Sequence, residues 1–336
     1  MKISIISFSN QGDLLAEQIK AGLCAEQVVI AKGFGTEKVP VKTWVKKQFE
    51  ESDAMIFVGA MGICVRMIAP FIQSKVTDPC VVVLDEKGSF CISVLSGHIG
   101  GGNDFTNRIA QLVQATPVIT TATDVNDIFA IDSFATKKGY KIKNTHCIKN
   151  ISAKLLKGED VYIYSDFPVE NVPKNIQVTV REGMLDRLYD AYITYQSIAN
   201  QDALIVVVQA LTVGVGCRKD KESSIVNSFF EEVLQEANMD IDAVAKVGSI
   251  DIKSEEVAIW DIVTRCKASV EFFTKEVLNE QTGTVSSSEF VLKTVGTDCV
   301  CERSAVALGG ALVVPKKSYD GVTIAVGLVE KKIDFR

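Results

Sequence analysis

Residues 89–104 read SFCISVLSGHIGGGND, and this stretch decides the fold. SFCISVLS reads as a β-strand, and a helix is expected from about Gly101 to Gln114. Strand, glycine-rich turn and helix in succession are the basic step of an α/β sheet. The turn sets His98 before three glycines, Gly100, Gly101 and Gly102. A helix N-terminus presents unpaired N–H groups and a partial positive charge, and glycines let a ligand approach them. Ser96, Gly97 and His98 therefore stand at the rim of a candidate anion cradle, where an oxyanion and a general base would meet. The plainer alternative is a tight turn with His98 as a capping or packing residue, and it asks for the same backbone.

Working outward, KISIISFS reads as a strand, 11–23 as a helix, VVIAKG as a strand and 41–50 as a helix. AMIFVGA is an apolar strand entering a glycine turn, CVVVLDE and SFCISVLS flank Lys87-Gly88, and PVITTAT follows the helix. Short apolar strands separated by helical patterns predict βαβ units and a mainly parallel sheet. Ligands in such sheets bind beyond the carboxyl ends of the strands. GAMG, SGH and TTATD all lie at strand ends, which marks them as one ligand-facing set.

The pattern loosens over 126–203, where helices near 133–139 and 148–156 precede the strands VYIYS and NIQVTV. This is expected to be a smaller α/β connecting domain. A further α/β unit is expected from Leu204. LIVVVQALTVGVGC supplies two strands, 221–237 a helix, and helices bracket GSIDIKSEE. CERSAVALGG is helical to Leu308, and ALVVPKK pairs with GVTIAVGLVEK. The expected domains are 1–125, 126–203 and 204–336, all α/β, with mainly parallel sheets in the outer two.

A chain of 336 residues is too long for one ordinary core. Its 47% hydrophobic and 23% charged residues describe a soluble protein. No apolar run nears the roughly 20 residues of a membrane span, and the first residues lack a signal peptide's pattern. Nine cysteines without a C-x-x-C pair read as reduced thiols, so the expected location is the cytoplasm. A net charge of −6 without a basic run gives no support to nucleic-acid binding, and an anionic ligand needs a local site. A nucleotide-dependent enzyme is the first rival, but no G-x-G-x-x-G follows the first strand and no P-loop motif occurs.

The block GAMGICVRMIAPFIQSKVTDPCVVVLDEKGSFCISVLSGHIGGGNDFTNRIA, followed by PVITTATD, resembles the N-terminal domain of the cobalamin biosynthesis protein G family. VGVGCRKD, VGSIDIKSEE and VGTDCVCERSA resemble that family's C-terminal domain, in the expected order. Together they cover most of 50–130 and 210–330. Two departures are small: Gly102 stands where the family often has alanine, and the following helix carries Phe105 and Arg108. The resemblance implies a cobalt-precorrin-5A hydrolase of anaerobic vitamin B12 synthesis. Its substrate is a cobalt-containing, ring-contracted tetrapyrrole bearing a δ-lactone. Water opens the lactone, the freed alkoxide collapses in a retro-aldol-like step, acetaldehyde leaves, and cobalt-precorrin-5B remains. Cobalt enters with the substrate, so no cofactor or protein metal site is expected. Neighbouring methyltransferases are the implied partners. A noncatalytic tetrapyrrole carrier is the second rival.

That chemistry needs a base for water, donors for a tetrahedral oxyanion and an acid–base group for the fragmentation. His98 has the ordinary pKa for the first task. Asp124 and, less directly, Glu302 complete the catalytic candidates. Thr120, Thr121 and Asp124 crowd a strand end, where the alternative for Asp124 is a helix cap. Gly59, Gly62 and Arg66 form the GAMG loop and its helix, with Arg66 suited to a substrate carboxylate. Asp78 either orients Lys75 or His98 or makes a turn with Pro79. Asn103 closes the glycine motif. Gly214, Gly216 and Arg218 in GVGCR repeat the pattern of glycines at a strand end. Cys217 lacks an adjacent histidine and reads as structural. Glu302 is alternatively a helix-dipole partner. The outer domains are expected to enclose the macrocycle between their strand-end loops.

Overall fold

The computed structural model describes residues 1–336 except 25, 75–76, 182–187, 284–285, 289–291 and 293–295. It divides into two compact units, Met1–Gly139 and Tyr140–Arg336.

The first unit carries one six-stranded sheet. Its strands are β1 (Lys2–Ser7), β2 (Gln27–Lys32), β3 (Ala54–Val58), β4 (Cys80–Leu84), β5 (Phe90–Leu95) and β6 (Thr116–Val118), in the order β2-β1-β3-β4-β5-β6. Every residue of β3 and β4 is buried, as expected for central strands covered on both faces. Alternate residues divide between two cores. Ile3, Ile5, Ile56, Val58, Val82 and Leu84 pack with helices Asn10–Gly22 and Gly102–Val113. Ile6, Met55, Phe57, Val81 and Val83 pack with helices Val41–Glu51 and Met61–Ile68. The result is a helix–sheet–helix sandwich. Two short helices, Ala122–Val125 and Ile131–Lys137, complete the unit.

The strand directions matter for the site. β1 to β4 run parallel, but β5 runs antiparallel to β4, and β6 parallel to β5. Residues 85–89 connect β4 to β5, and a parallel crossover needs about a dozen residues or more. The loops after β5 and β6 therefore lie at the opposite edge of the sheet from the loop after β3.

The second unit holds two five-stranded sheets. The first contains β7 (Lys141–Lys143), β8 (Val161–Ser165), β10 (Ile176–Val180), β11 (Ala191–Thr194) and β12 (Leu204–Val207), in the order β10-β8-β11-β12-β7, with β7 antiparallel. Between β8 and β10, the short β9 (Val169–Glu170) pairs with β18 (Ile333–Asp334) near the end of the chain. The second sheet contains β13 (Leu211–Cys217), β14 (Val244–Ile250), β15 (Ser269–Phe273), β16 (Ala311–Tyr319) and β17 (Val322–Leu328), in the order β15-β14-β13-β17-β16. β13, β14 and β15 are parallel, and β17 is antiparallel to both neighbours. Two sequence expectations need correction. Leu204–Val207 belongs to the middle sheet rather than opening the last one. A helix is expected before the GSIDIKSEE turn, but Val244–Ile250, which includes the first three residues of that turn, forms a central strand. Val244, Val247 and Ile250 imitate a helical stripe, but Gly248 and Ser249 between them are buried too, because the strand is covered on both faces. FVLKTVG lies largely outside the described residues. Among the described residues, no helix is long and apolar enough to cross a membrane.

Candidate active site

The loops following β5 and β6 meet around His98. Its Nε2 lies 2.8 Å from Asp124 Oδ2 and 3.1 Å from Thr123 Oγ1, and its Nδ1 lies 3.4 Å from Asp132 Oδ2. Asn103 bolts the group together. Its Oδ1 accepts from Ser93 Oγ at 2.7 Å, and its Nδ2 donates to Thr121 Oγ1 and Asp124 Oδ2 at 3.1 and 3.0 Å. A Cβ on Gly97 would sit 2.7 Å from Asn103 Oδ1, so glycine there clears room for this amide. A Cβ on Gly100 would meet the Ser96 Cβ at 2.5 Å, while Ser96 itself holds a left-handed φ of 54°. Among the described residues, the buried Ser96 hydroxyl has no hydrogen-bond partner.

Three N–H groups of the glycine turn are committed within the loop itself. Gly101 N donates to His98 O at 2.8 Å, Gly102 N to Ser96 O at 3.0 Å and Asn103 N to Gly97 O at 2.9 Å. The loop's own carbonyls have taken those N–H groups, so they are not donors for an oxyanion.

Electrostatics also revise the role of His98. The hydrogen bond to Asp132, supported by Asp124 and opposed by burial, raises its pKa to about 9. At neutral pH the ring is an imidazolium, with both nitrogens protonated and facing carboxylates. In that form both ring nitrogens donate, one toward each carboxylate. Asp124, with 38% of its side chain exposed, is the carboxylate within reach of solvent, whereas the Asp132 side chain is 2% exposed.

The second unit has a different feature. A cavity of about 1120 Å³ opens beyond the end of β13, lined in part by Gly216, Arg218, Lys219, Lys253 and Lys316. Cys217 also lines it, and burial pushes its thiol pKa up, which suits a structural thiol.

Two family models match the chain: cobalamin synthesis G N-terminal over residues 43–124 and cobalamin synthesis G C-terminus over 211–327. The chain belongs to the cobalamin biosynthesis protein G family. The cobalt-precorrin-5A hydrolase of Salmonella typhimurium is 32% identical over 84% of this chain and 84% of its own length. That of Priestia megaterium is 28% identical over 86% of this chain and 82% of its own. A solved structure of a cobalamin biosynthesis protein G homologue from Sulfolobus solfataricus aligns at 25% identity over 98% of this chain and 97% of that one, with a TM-score of 0.41.

Within this member of the family, the sequence-derived candidates separate. Ser96, Gly97, His98, Gly100, Gly101, Gly102, Asn103, Thr121 and Asp124 share the His98 edge, and the exposed Thr120 precedes Thr121 there. Gly59, Gly62 and Arg66 lie at the opposite edge, after β3. Arg66 is exposed, and its guanidinium only approaches Gly62 O at 3.4 Å. Asp78 is on the His98 edge but turns inward, accepting from Gln73 N and Ser74 N at 2.9 and 3.0 Å. The carboxylate thus closes the loop over 73–78, on the side away from Pro79 in the chain. Lys75 lies outside the described residues.

The second-unit candidates also divide. Glu302, expected to face substrate, is fully buried. It accepts from Ser286 N, Ser286 Oγ and Lys316 N at 2.8, 2.7 and 2.9 Å, clamping helix Val300–Ala307 to its surroundings. A Cβ on Gly214 would lie 1.8 Å from the Cys301 carbonyl oxygen, so this glycine serves helix-on-strand packing. Gly216 and the exposed Arg218 line the cavity.

Asp132 is the residue that sequence reasoning missed. It stands eight places beyond the end of the N-terminal family match, in a helix with no glycine or histidine to mark it.

Proposed function

We infer that this chain is a cobalt-precorrin-5A hydrolase, opening the δ-lactone of its substrate and releasing acetaldehyde in anaerobic cobalamin synthesis. Family membership supports the reaction. The observation that carries the site is His98 clasped between Asp124 and Asp132 at one sheet edge. Asp124, exposed and beside the ring, takes the proton of the attacking water. His98, as an imidazolium, turns its Nε2–H from Asp124 toward the oxygen that gains charge in the tetrahedral intermediate, as that carboxylate takes up the water's proton and holds the ring less strongly. After the lactone opens, the same pair returns a proton as the carbon–carbon bond breaks and acetaldehyde departs.

The cavity of about 1120 Å³ in the second unit is at the upper end for small-molecule pockets, a size that suits a macrocycle. Arg218, Lys219 and Lys316 offer cations for peripheral carboxylates, while Lys253 is paired with Glu256, and Asp220, Glu255 and Asp320 share the lining. Cobalt belongs to the substrate in this reading, and the chain's residues bind and move protons. The reaction is placed in the cytoplasm, with neighbouring methyltransferases supplying and removing the intermediates.

Incubation of the purified protein with cobalt-precorrin-5A, with acetaldehyde trapped as it forms, tests the reading. Stoichiometric acetaldehyde is expected. Binding of the corrinoid with no acetaldehyde identifies a carrier and rejects the enzyme.

A further inference from the structure

We propose that Asp132 is the positioning residue of this site, holding His98 Nδ1 so that Nε2 faces Asp124 and the reacting group. This rests on the reading of His98 and Asp124 as the acid–base pair and assigns a separate task to the second carboxylate. The two aspartates differ in what they can touch. Asp124 has 38% of its side chain exposed, whereas the Asp132 side chain has 2% and so acts through the histidine.

The geometry fits an orienting role. Asp132 Oδ2 lies 3.4 Å from His98 Nδ1, while Oδ1 accepts from Ser133 N at 3.1 Å in the first turn of helix Ile131–Lys137. A carboxylate tied at both oxygens cannot easily turn away. On the other side of the ring, Nε2 meets Asp124 and Thr123, and Asp124 is itself held by Asn103. Each ring nitrogen thus has a defined partner. Carboxylate–imidazole pairs in hydrolytic sites fix ring orientation and stabilise the imidazolium in this way. Asp124 and Asp132 are the titratable groups facing His98 among the described residues. Both carry negative charge toward the ring, so both favour its protonated form.

The chain contains two histidines, His98 and His146, which makes ring NMR decisive. His146→Ala leaves one set of imidazole signals. In that background His98 should remain doubly protonated at pH 8. Asp132→Asn should lower its titration midpoint by about 1–3 pH units, the usual effect of removing an adjacent opposite charge. The same substitution should lower kcat on the order of 10²-fold with KM little changed, and move the alkaline limb of the rate profile down with the NMR midpoint. Asp132→Glu should restore part of both.

A neutral His98 ring at pH 8 in the Asp132-containing protein overturns the proposal without requiring any Asp132 variant to fold. An unchanged midpoint in folded Asp132→Asn overturns it as well. A shifted midpoint with unchanged turnover also overturns it, because the positioned ring then has no part in the reaction. Failure of the hydrolase reading is distinguishable, since the unmodified protein would then release no acetaldehyde whatever its NMR midpoint.

Discussion

Asn103 donates through Nδ2 to Asp124 Oδ2 across 3.0 Å, the same carboxylate oxygen that faces His98 Nε2 at 2.8 Å. The amide begins in the first turn of helix Gly102–Val113, so the glycine motif places Asn103 and His98 on one aspartate from two sides. A charge-assisted pair and a neutral donor converging on one oxygen fix it more firmly than either alone.

Removing the imidazole should therefore be costly. His98→Gln is expected to lower lactone opening by about 10²–10⁴-fold, the range for a lost acid–base group. His146→Ala should leave turnover within about twofold, because among the described residues His146 Nε2 meets a backbone carbonyl, Gln201 O, and no carboxylate. Steady-state acetaldehyde release from both variants, with circular dichroism as a folding control, makes the comparison.

The paired histidine also predicts a pH dependence of stability. Its folded-state pKa, about 9, lies above the ordinary 6.5 expected of the unfolded chain. Folding thus takes up a proton between those values. The pair's contribution is fully present below about pH 6.5 and is lost as pH rises through about 9. Urea unfolding of the unmodified protein and His98→Gln should show a stability gap that narrows between pH 6.5 and 9.5. A constant gap would mean that the ring is not held as a cation.

Glu302 should behave as structure. Glu302→Ala leaves Ser286 N, Ser286 Oγ and Lys316 N without their acceptor in a dry environment, at a cost of roughly 2–4 kcal/mol. Turnover per folded molecule should change less than about threefold. Denaturant midpoints read together with the active fraction separate this outcome from a catalytic defect.

Opposite edges of one sheet should respond differently. Asn103→Ala removes the bridge among Ser93, Thr121 and Asp124 and is expected to lower kcat by about 10–10²-fold. Arg66→Ala alters an exposed side chain at the far edge and should leave kcat within about twofold. Paired kinetic measurements decide whether the loop after β3 takes part.

Much of the site is legible in the chain. The strand, glycine turn and helix over 89–114 fold as their patterns imply, and His98 stands at that junction. The connection through Lys87-Gly88 is too short for a parallel crossover, so its length alone implies that GAMG and SGH lie at opposite sheet edges, against their expected grouping. Asp132 has no such signal. A lone aspartate early in a short helix ordinarily serves a cap, and only its approach to His98 gives it another meaning. Glu302 misleads for the opposite reason: glutamate is so rarely buried unpaired that its charge suggests a ligand, while the backbone donors around it leave no mark in the sequence.

By itself, the sequence determined the α/β class, the positions of the strand-end turns and the place of His98 at one of them. These depend on periodicity, turn chemistry and motif spacing, all written locally along the chain. Tertiary structure alone decided that the Gly101 and Gly102 N–H groups are spent on their own loop, that Asp132 pairs with a ring more than thirty residues earlier, and that Glu302 is sealed from solvent. The reason is physical. The charge state of an imidazole and the fate of a carboxylate depend on which groups lie within a few ångströms and how much water remains, and chain spacing carries neither quantity.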